Sequence, residues 1–240
     1  MARGEKKKGK PSESEQRKVA IADFHKMLIL AQWALHIFDR ASFDPIKEAL
    51  KFPRLEGINQ ETGHTWFYHT LVDQNLFYLG NNAKCTKEQL AAYDLRIVGY
   101  WNQITEKRNA QEQTIYRMKY YQYLSLLVTE LYLDWYFNRR IELLAELNAA
   151  VDAYNANHLK DPLSALEKED LNKICFWEAT GAGKTLLMDI NILQYRFYAP
   201  EKAEHTILLT PDEGLTRQHL KELALSGFSA EEIKDSNSLF

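Results

Sequence analysis

Glycine, proline and cysteine are scarce in this sequence, and each scarcity argues against a class of protein. Ten glycines and six prolines among 240 residues are too few for the frequent tight turns of an all-β sandwich. The two cysteines, Cys85 and Cys175, stand far apart, so they provide neither a disulfide framework nor the paired spacing of a metal clip. This usage favours a helix-rich protein of the reducing cytoplasm.

The sequence also lacks a strong excess of charge and long apolar runs. Thirty basic and 33 acidic side chains leave a formal net charge of -3, so any contact with nucleic acid must be local rather than a bulk electrostatic effect. We find no stretch of about 18 apolar residues, and no apolar region follows the basic N-terminus. Secretion and membrane insertion are therefore not predicted, and we expect a cytoplasmic protein.

Composition divides the chain into three parts. Residues 1–18 contain seven Lys or Arg and three Glu with almost no apolar side chain, which predicts a disordered basic tail. Residues 19–165 are predicted to form a helical N-terminal domain, because apolar residues recur there at intervals of three and four. A boundary is indicated by Pro162 and the polar stretch after it, so residues 166–240 are predicted to begin a separate α/β unit.

Between Gly99 and Pro162 the sequence has neither glycine nor proline. Apolar side chains recur there mostly at helical spacing, which predicts either one long helix or a tight helical pair. An unbroken helix over residues 112–158 would be roughly 70 Å long. The aromatic rings of this region alternate with aliphatic rather than basic residues, which favours a core or partner-helix face over a platform for stacking nucleic-acid bases.

The motif with a defined chemistry is A-T-G-A-G-K-T at residues 179–185. A β-prone apolar run precedes it and an amphipathic helical pattern follows it, which predicts the strand, glycine turn and helix of a phosphate-binding loop. Glycines at positions 181 and 183 allow backbone N–H groups to converge on phosphate oxygens. The helix that follows directs the positive end of its dipole at the same anion.

Two side chains of this motif are predicted to act on ATP. The Lys184 ammonium is placed to reach the β and γ phosphates, and the Thr185 hydroxyl is placed to ligate Mg²⁺. We therefore expect ATP and Mg²⁺ as cofactors, Lys184 and Thr185 as catalytic residues, and Thr185 as the metal ligand. The predicted nucleotide-binding set is Thr180, Gly181, Ala182, Gly183, Lys184, Thr185 and Leu186.

Two segments together resemble a known family. Glu178 stands where the strict phosphate-loop pattern has its first glycine. With this departure, residues 179–185 resemble motif I of the superfamily 2 helicases and translocases, in which that position varies. TILLTPDEGLTRQHLKEL at residues 206–223 is similar to motif Ia of the same superfamily. The last third of the chain thus resembles the DEAD/DEAH-box proteins related to the helicase (R) subunit of type III restriction enzymes.

This resemblance implies a fold and a function. The implied fold is an α/β P-loop (RecA-like) start of a helicase motor lobe, preceded by the mostly α-helical N-terminal domain. The implied function is that of an ATP-dependent DNA helicase or translocase of a bacterial restriction or antiphage defence system, with DNA and nuclease or methyltransferase subunits as partners. Because motif Ia contacts the tracking strand in the family, the resemblance places four residues at the nucleic acid: Thr210, Pro211, Arg217 and Gln218.

The resemblance also implies parts that this sequence does not contain. A D-E-x-H box and a second RecA-like lobe with its arginine finger are expected in the family, and neither is found between residues 1 and 240. We therefore expect the chain to be the N-terminal part of a larger motor, able to bind nucleotide but inactive as a hydrolase by itself.

Other interpretations stay open on the sequence. ILLTPDE also fits a Walker B element with Asp212 on Mg²⁺ and Glu213 activating water, although Pro211 separates the strand from the acids. A nucleotide kinase would need arginines after the loop helix, where Arg196 is the candidate. An alternative of a different class is a protein-interaction module, in which the helical region binds a partner and the P-loop is structural or regulatory.

The remaining chemically active side chains predict no further site. His64 and His69 flank T-W-F-Y but lack a third ligand at a suitable spacing, so ordinary core or surface histidines are favoured over a metal site. Cys175 lies in the predicted strand before the loop, where we expect a small buried hydrophobic residue rather than a reactive thiol.

Overall fold

The computed structural model describes residues 24, 27–77, 84–201 and 205–233. The predicted basic tail of residues 1–18 lies outside these ranges. Within them no helix is long and apolar enough to cross a membrane. The described chain forms eight α-helices: α1 Ile29–Phe38, α2 Asp44–Leu50, α3 Trp66–Asp73, α4 Lys87–Glu112, α5 Tyr120–Asn138, α6 Arg140–Asn155, α7 Lys184–Tyr198 and α8 Glu213–Leu225.

Helix α5 lies at the centre of the helical packing. It contacts α4, α6 and α7, while α1 packs on α6 and α8 packs on α4 and α7. The rings of Tyr123 and Trp135 on α5 are buried, and Trp135 meets Trp33 of α1 edge-on with 5.5 Å between ring centroids. These rings therefore fill the core, where a large apolar surface is removed from water.

A glutamine in the first turn caps the N-terminus of both α4 and α5. Gln89 Oε1 accepts from the N–H of Thr86 at 2.9 Å, and the Thr86 hydroxyl accepts from the N–H of Gln89 at 3.2 Å. Gln122 Oε1 accepts in the same way from the N–H of Lys119 at 2.8 Å. Each contact satisfies a backbone donor that the helix itself leaves without a partner.

The region without glycine or proline contains the last part of α4 and then α5 and α6, so it is neither one long helix nor a single helical pair. Helix α5 ends at Asn138 and α6 begins at Arg140, because Arg139 leaves the helical conformation with φ -142° and ψ 40°. The Arg139 guanidinium lies 3.9 Å from the ring centroid of Trp135, and it pairs with Glu142 at 2.5 Å. Side-chain contacts thus accompany a break at a residue that is neither glycine nor proline.

The predicted α/β P-loop (RecA-like) fold is wrong for the part of the chain that the structure describes. Neither the segment before the loop nor residues 205–209 pairs into a strand, and no sheet forms within the described ranges. Trp177 is 80% exposed and Leu209 is 88% exposed, while Cys175, expected to be buried, is also exposed. Their apolar composition predicts strands, but a strand also needs a neighbouring strand for its backbone hydrogen bonds and a layer of structure that buries its side chains. Two strands without further partners are only marginally stable in water.

The helix after the loop packs on other helices instead of a sheet. Leu187 and Ile190 of α7 are buried in the same core as α4 and α5. Burial of such side chains stabilises a protein by about 1.5–3 kcal/mol each, relative to leaving them exposed. The apolar face that suggested packing against strands is therefore already covered by helices.

A buried carboxyl group joins α7 to α8. The Ser226 hydroxyl, just beyond α8, donates to Asp189 Oδ2. Asp189 is fully buried, and its Oδ1 has no hydrogen-bond partner among the described residues. Burial raises the pKa of Asp189, and the Ser226 hydrogen bond and the charge of Arg108 only partly oppose this shift.

Asp189→Asn is expected to change the pH dependence of stability. A carboxyl group with a raised pKa binds its proton more tightly in the folded state, so its stabilising contribution is present below the ordinary Asp pKa and is lost as pH rises through the raised value. The asparagine does not titrate. The free energy of unfolding of the wild type, relative to the variant, should therefore fall as the pH rises above about 4, the ordinary pKa of Asp.

Urea denaturation of both proteins across this pH range measures that difference. Asp161→Asn is the matched control, because it removes the same charge from an exposed position, where the free energy of unfolding should stay close to that of the wild type. If the free energy of unfolding of the wild type rose with pH relative to that of Asp189→Asn, the result would contradict the burial of this carboxyl group.

Candidate functional site

The glycine motif forms a turn that leads directly into α7. Gly181 and Gly183 have φ values of +79° and +80°, a conformation that glycine adopts without the penalty of a Cβ. Between them, the N–H of Ala182 donates to the carbonyl of Ala179 at 3.2 Å. Gly183 is the N-terminal cap residue of α7, and no side chain from the described residues caps it.

The N-terminus of α7 offers donors for an anion. The first intrahelical bond runs from the N–H of Leu187 to the carbonyl of Gly183 at 3.2 Å. The N–H groups before Leu187 in this turn have no partner within the helix, and the helix dipole favours negative charge beside them. The structure thus contains backbone N–H donors without helical partners at the position where the sequence predicts them.

Lys184 and Thr185 occupy the first turn of α7. Lys184 is exposed, and its Nζ donates to the carbonyl of Glu178 at 3.3 Å, so the ammonium folds back over the loop. Thr185 and Leu186 are half-buried, while Thr180 is exposed on the side of the turn before the helix. The predicted nucleotide-binding residues thus lie in the glycine turn and in the first turn of α7 that follows it.

Helix α5 covers this turn through a residue that sequence reasoning missed. Gln122, which is 5% exposed, donates from Nε2 to the carbonyl of Ala182 at 2.9 Å. Burial raises the pKa of Glu178, while a hydrogen bond with Ser125 and the charge of Lys184 oppose that shift. Gln122 and Ser125 belong to the first two turns of α5, so α5 contacts both ends of the loop.

A buried polar cluster ties α7 to α4 and α5. We call it the Glu130 network, and it comprises Arg96, Glu130, Gln194 and Tyr198. Glu130, which is fully buried, accepts from Arg96 Nη2 at 2.8 Å, from the Tyr198 hydroxyl at 2.9 Å and from Gln194 Nε2 at 3.1 Å. Burial raises the pKa of Glu130, although the Arg96 guanidinium and these hydrogen bonds oppose the shift.

The four residues predicted to contact nucleic acid lie on and before α8. Arg217 and Gln218 are exposed on the helix, and among the described residues the Arg217 side chain makes only a long contact of 4.0 Å with Glu213. Thr210 is half-buried and donates to the carbonyl of Asp212 at 3.3 Å, while Pro211 is exposed. Within the described ranges, no hydrogen bond joins these four residues to the glycine turn.

The acids of the rival Walker B interpretation have local roles. Asp212 caps α8 by accepting from the N–H of Leu215 at 2.8 Å, and Glu213 is the first residue of that helix. Acidic side chains are favoured at this end of a helix by its dipole. This geometry favours a helix cap over a Mg²⁺ ligand.

The two flanking histidines contact residues of the helical region. His64 Nδ1 lies 2.9 Å from Asp94 Oδ2, and His69 Nε2 lies 2.9 Å from the Thr62 hydroxyl. Among the described residues, no group of three His, Cys, Asp or Glu side chains is arranged to hold a metal ion.

A glycine turn that enters a helix N-terminus, with lysine and threonine in the first turn, is one part of a phosphate-binding loop, and the strand that precedes such a loop is not formed within the described ranges. Residues 104–238, more than half of the chain, match the family described as type III restriction enzyme, res subunit. The chain belongs to this family, which confirms the resemblance seen in its two motifs. The match begins within α4, so it also includes α5 and α6.

Membership of this family gives a coarse function. The family is helicase-like and related to restriction enzymes, its function is ATP-dependent, and it acts on nucleic acid. Its members generally use ATP and Mg²⁺. No curated protein and no solved structure matches the chain.

The residues at the turn fit a phosphate chain with its metal better than a metal alone. The N–H groups and Lys184 provide donors and positive charge, whereas Thr185 provides one hydroxyl oxygen. Mg²⁺ commonly keeps several waters and takes further oxygens from a bound phosphate. The geometry therefore fits Mg²⁺ that arrives with the nucleotide.

Proposed function

We propose that this chain binds Mg-ATP at residues 180–186 and contributes this site to an ATP-dependent DNA helicase or translocase of superfamily 2 in a bacterial restriction or antiphage defence system. The observation that carries the proposal is the pair of left-handed glycines, Gly181 and Gly183, immediately before α7 in a chain of the res-subunit family. Left-handed glycines of this kind allow neighbouring N–H groups to turn towards a shared anion, which supports the proposal.

The backbone N–H groups, Lys184 and Thr185 each have a role in this proposal. N–H groups of the first turn of α7 bind phosphate oxygens, and Lys184 exchanges the Glu178 carbonyl for the β and γ phosphates. The Thr185 hydroxyl contributes one ligand to Mg²⁺. The chain alone is expected to bind ATP without appreciable hydrolysis, because efficient turnover needs a group that positions the attacking water.

The nucleic-acid part of the proposal concerns α8 and the residues before it. Thr210, Pro211, Arg217 and Gln218 would contact the backbone of one DNA strand, as their resemblance to motif Ia implies. Their support is that Arg217 and Gln218 are exposed, and that within the described part of the chain the acidic partner of Arg217 is a distant one, which leaves its guanidinium available to a phosphate.

Lys184→Ala is expected to weaken the binding of Mg-ATP about tenfold. A hydrogen bond to a charged group contributes about 1.5 kcal/mol or more, and about 1.4 kcal/mol corresponds to a factor of ten in affinity. Isothermal titration of the purified chain with Mg-ATP measures the dissociation constant. The helical content in circular dichroism should not change, because Lys184 is exposed.

Lys173→Ala is the matched control for this experiment. It also removes one positive charge, at a position shortly before the loop. The Lys173 side chain is 78% exposed, and its ion-pair partner among the described residues is Asp170 at 3.6 Å. Its affinity for Mg-ATP should equal that of the wild type. Equal affinities for Lys184→Ala and the wild type, or no binding by the wild type, would end the proposal.

A further inference from the structure

Gln122 uses both atoms of its side-chain amide. Its Oε1 accepts from the N–H of Lys119 and so caps α5, while its Nε2 donates to the carbonyl of Ala182 in the glycine turn. The side chain is 5% exposed, and Ala182 is 8% exposed. The contact is therefore shielded from water, which strengthens a hydrogen bond and makes its loss costly.

The Gln122 contact lies between the two left-handed glycines. A Cβ on Gly183 would approach Gln122 Nε2 to 2.6 Å, whereas a Cβ on Gly181 would meet nothing within 4 Å. The amide thus packs against the bare backbone of Gly183 and at the same time holds the preceding carbonyl. The orientation of this peptide sets the direction of the donors that follow it.

Helix α5 also contacts the helix that follows the turn. Gln194 Nε2 of α7 donates to the carbonyl of Leu126 at 2.9 Å, and the Glu130 network bonds the same two helices further along. A displacement of the turn relative to α7 is therefore a displacement relative to α5. Gln122 joins residues 181–183 to α5, and Ser125 contacts Glu178 before the turn.

We propose that Gln122 is a positioning residue, which holds the turn of residues 181–183 in its phosphate-binding conformation and couples nucleotide binding to the first turn of α5. This inference rests on the proposed function, because Gln122 is assigned a role in the same nucleotide-binding site. Preorganisation of a binding loop improves affinity by lowering the ordering cost of binding. Conversely, a bound phosphate chain that holds the turn should also steady α5.

Two substitutions separate the contact to the turn from the helix cap. Gln122→Glu keeps an oxygen that accepts from Lys119 but removes the donor to Ala182, and it adds a negative charge. Gln122→Met is neutral and removes both hydrogen bonds. The matched controls are Gln89→Glu and Gln89→Met, because Gln89 caps α4 in the same way.

Both Gln122 variants are expected to bind Mg-ATP about fivefold more weakly than the wild type, since a net hydrogen bond contributes about 1 kcal/mol. Neither Gln89 variant should change the affinity. Hydrogen–deuterium exchange gives a second readout that a purely structural role would not change. Mg-ATP should slow exchange in residues 120–126 of the wild type, and this protection should be lost in Gln122→Met but kept in Gln89→Met.

The outcomes distinguish this inference from the proposed function. Suppose that the wild type binds Mg-ATP and that Lys184→Ala weakens this binding. If Gln122→Met then matches the wild type in both affinity and protection, the proposed role of Gln122 is wrong, while the proposed Mg-ATP site is still supported. A loss confined to Gln122→Glu assigns the effect to charge and also overturns the positioning role. If the wild type does not bind Mg-ATP, the proposed function fails and this inference fails with it.

Discussion

Gly183→Ala is expected to weaken Mg-ATP binding roughly fiftyfold, the largest loss of affinity that a single methyl group should cause in this chain. Gly183 has a φ of +80°, and a non-glycine residue in this conformation costs about 1–2 kcal/mol. The new Cβ would also approach Gln122 Nε2 to 2.6 Å, so the hydrogen bond to the Ala182 carbonyl must lengthen or break at a further cost of about 1 kcal/mol.

Two glycine controls separate strain from the contact with Gln122. Gly227→Ala introduces the same kind of strain at a φ of +85° after α8, with nothing within 4 Å of the new Cβ, so it should lower stability without affecting affinity. Gly181→Ala places strain in the turn without a clash, so its effect on affinity should be intermediate. Titration calorimetry of the three variants tests this order, and a Gly183→Ala affinity within threefold of the wild type, roughly 0.7 kcal/mol, would contradict it.

Glu130→Leu is expected to lower the free energy of unfolding by about 3–5 kcal/mol, the largest change in stability that we predict. Glu130 is fully buried, and its removal leaves the Arg96 guanidinium, whose side chain is 21% exposed, without its carboxylate partner. The Tyr198 hydroxyl and the Gln194 amide lose the same acceptor. Urea denaturation followed by circular dichroism measures the change.

A double variant tests the origin of this effect. In Glu130→Leu/Arg96→Met the unpaired charge is gone, so the double variant should be more stable than Glu130→Leu alone. Glu142→Ala is the exposed control, because its partner Arg139 and the Glu142 carboxylate are both accessible to water, and its stability should change little. A Glu130→Leu protein as stable as Glu142→Ala would show that the Glu130 network does not hold α7 in place.

Local features of this chain were predictable from its sequence. A threonine at 86 followed three residues later by a glutamine at 89 is the pattern of a capping box, and the two residues form one at the start of α4. Glycines at 181 and 183 predict a turn that leads into a helix, and both have positive φ before α7. These signals depend on residues within a few positions of one another, so the sequence contains all of the information they need.

Features that depend on distant partners were not predictable. The apolar runs before residue 178 and at 205–209 resemble strands, but a run of apolar residues carries no information about which backbone it would pair with. Gln122 and Ala182 are 60 positions apart, and nothing distinguishes Gln122 from other glutamines in the sequence. The break at Arg139 has no glycine or proline signal, and contacts of the Arg139 side chain with Trp135 and Glu142 accompany it.

The break at Arg139 limits the length of α5, the helix that contacts the glycine turn. Helix α5 has 19 residues, or about 28 Å at the usual rise per residue, instead of the roughly 70 Å of an unbroken helix. The Glu130 network holds the middle of this short helix against α4 and α7. The Gln122 contact and the corner where α5 meets α6 are therefore the two ends of one helix, about 24 Å apart at the usual rise per residue.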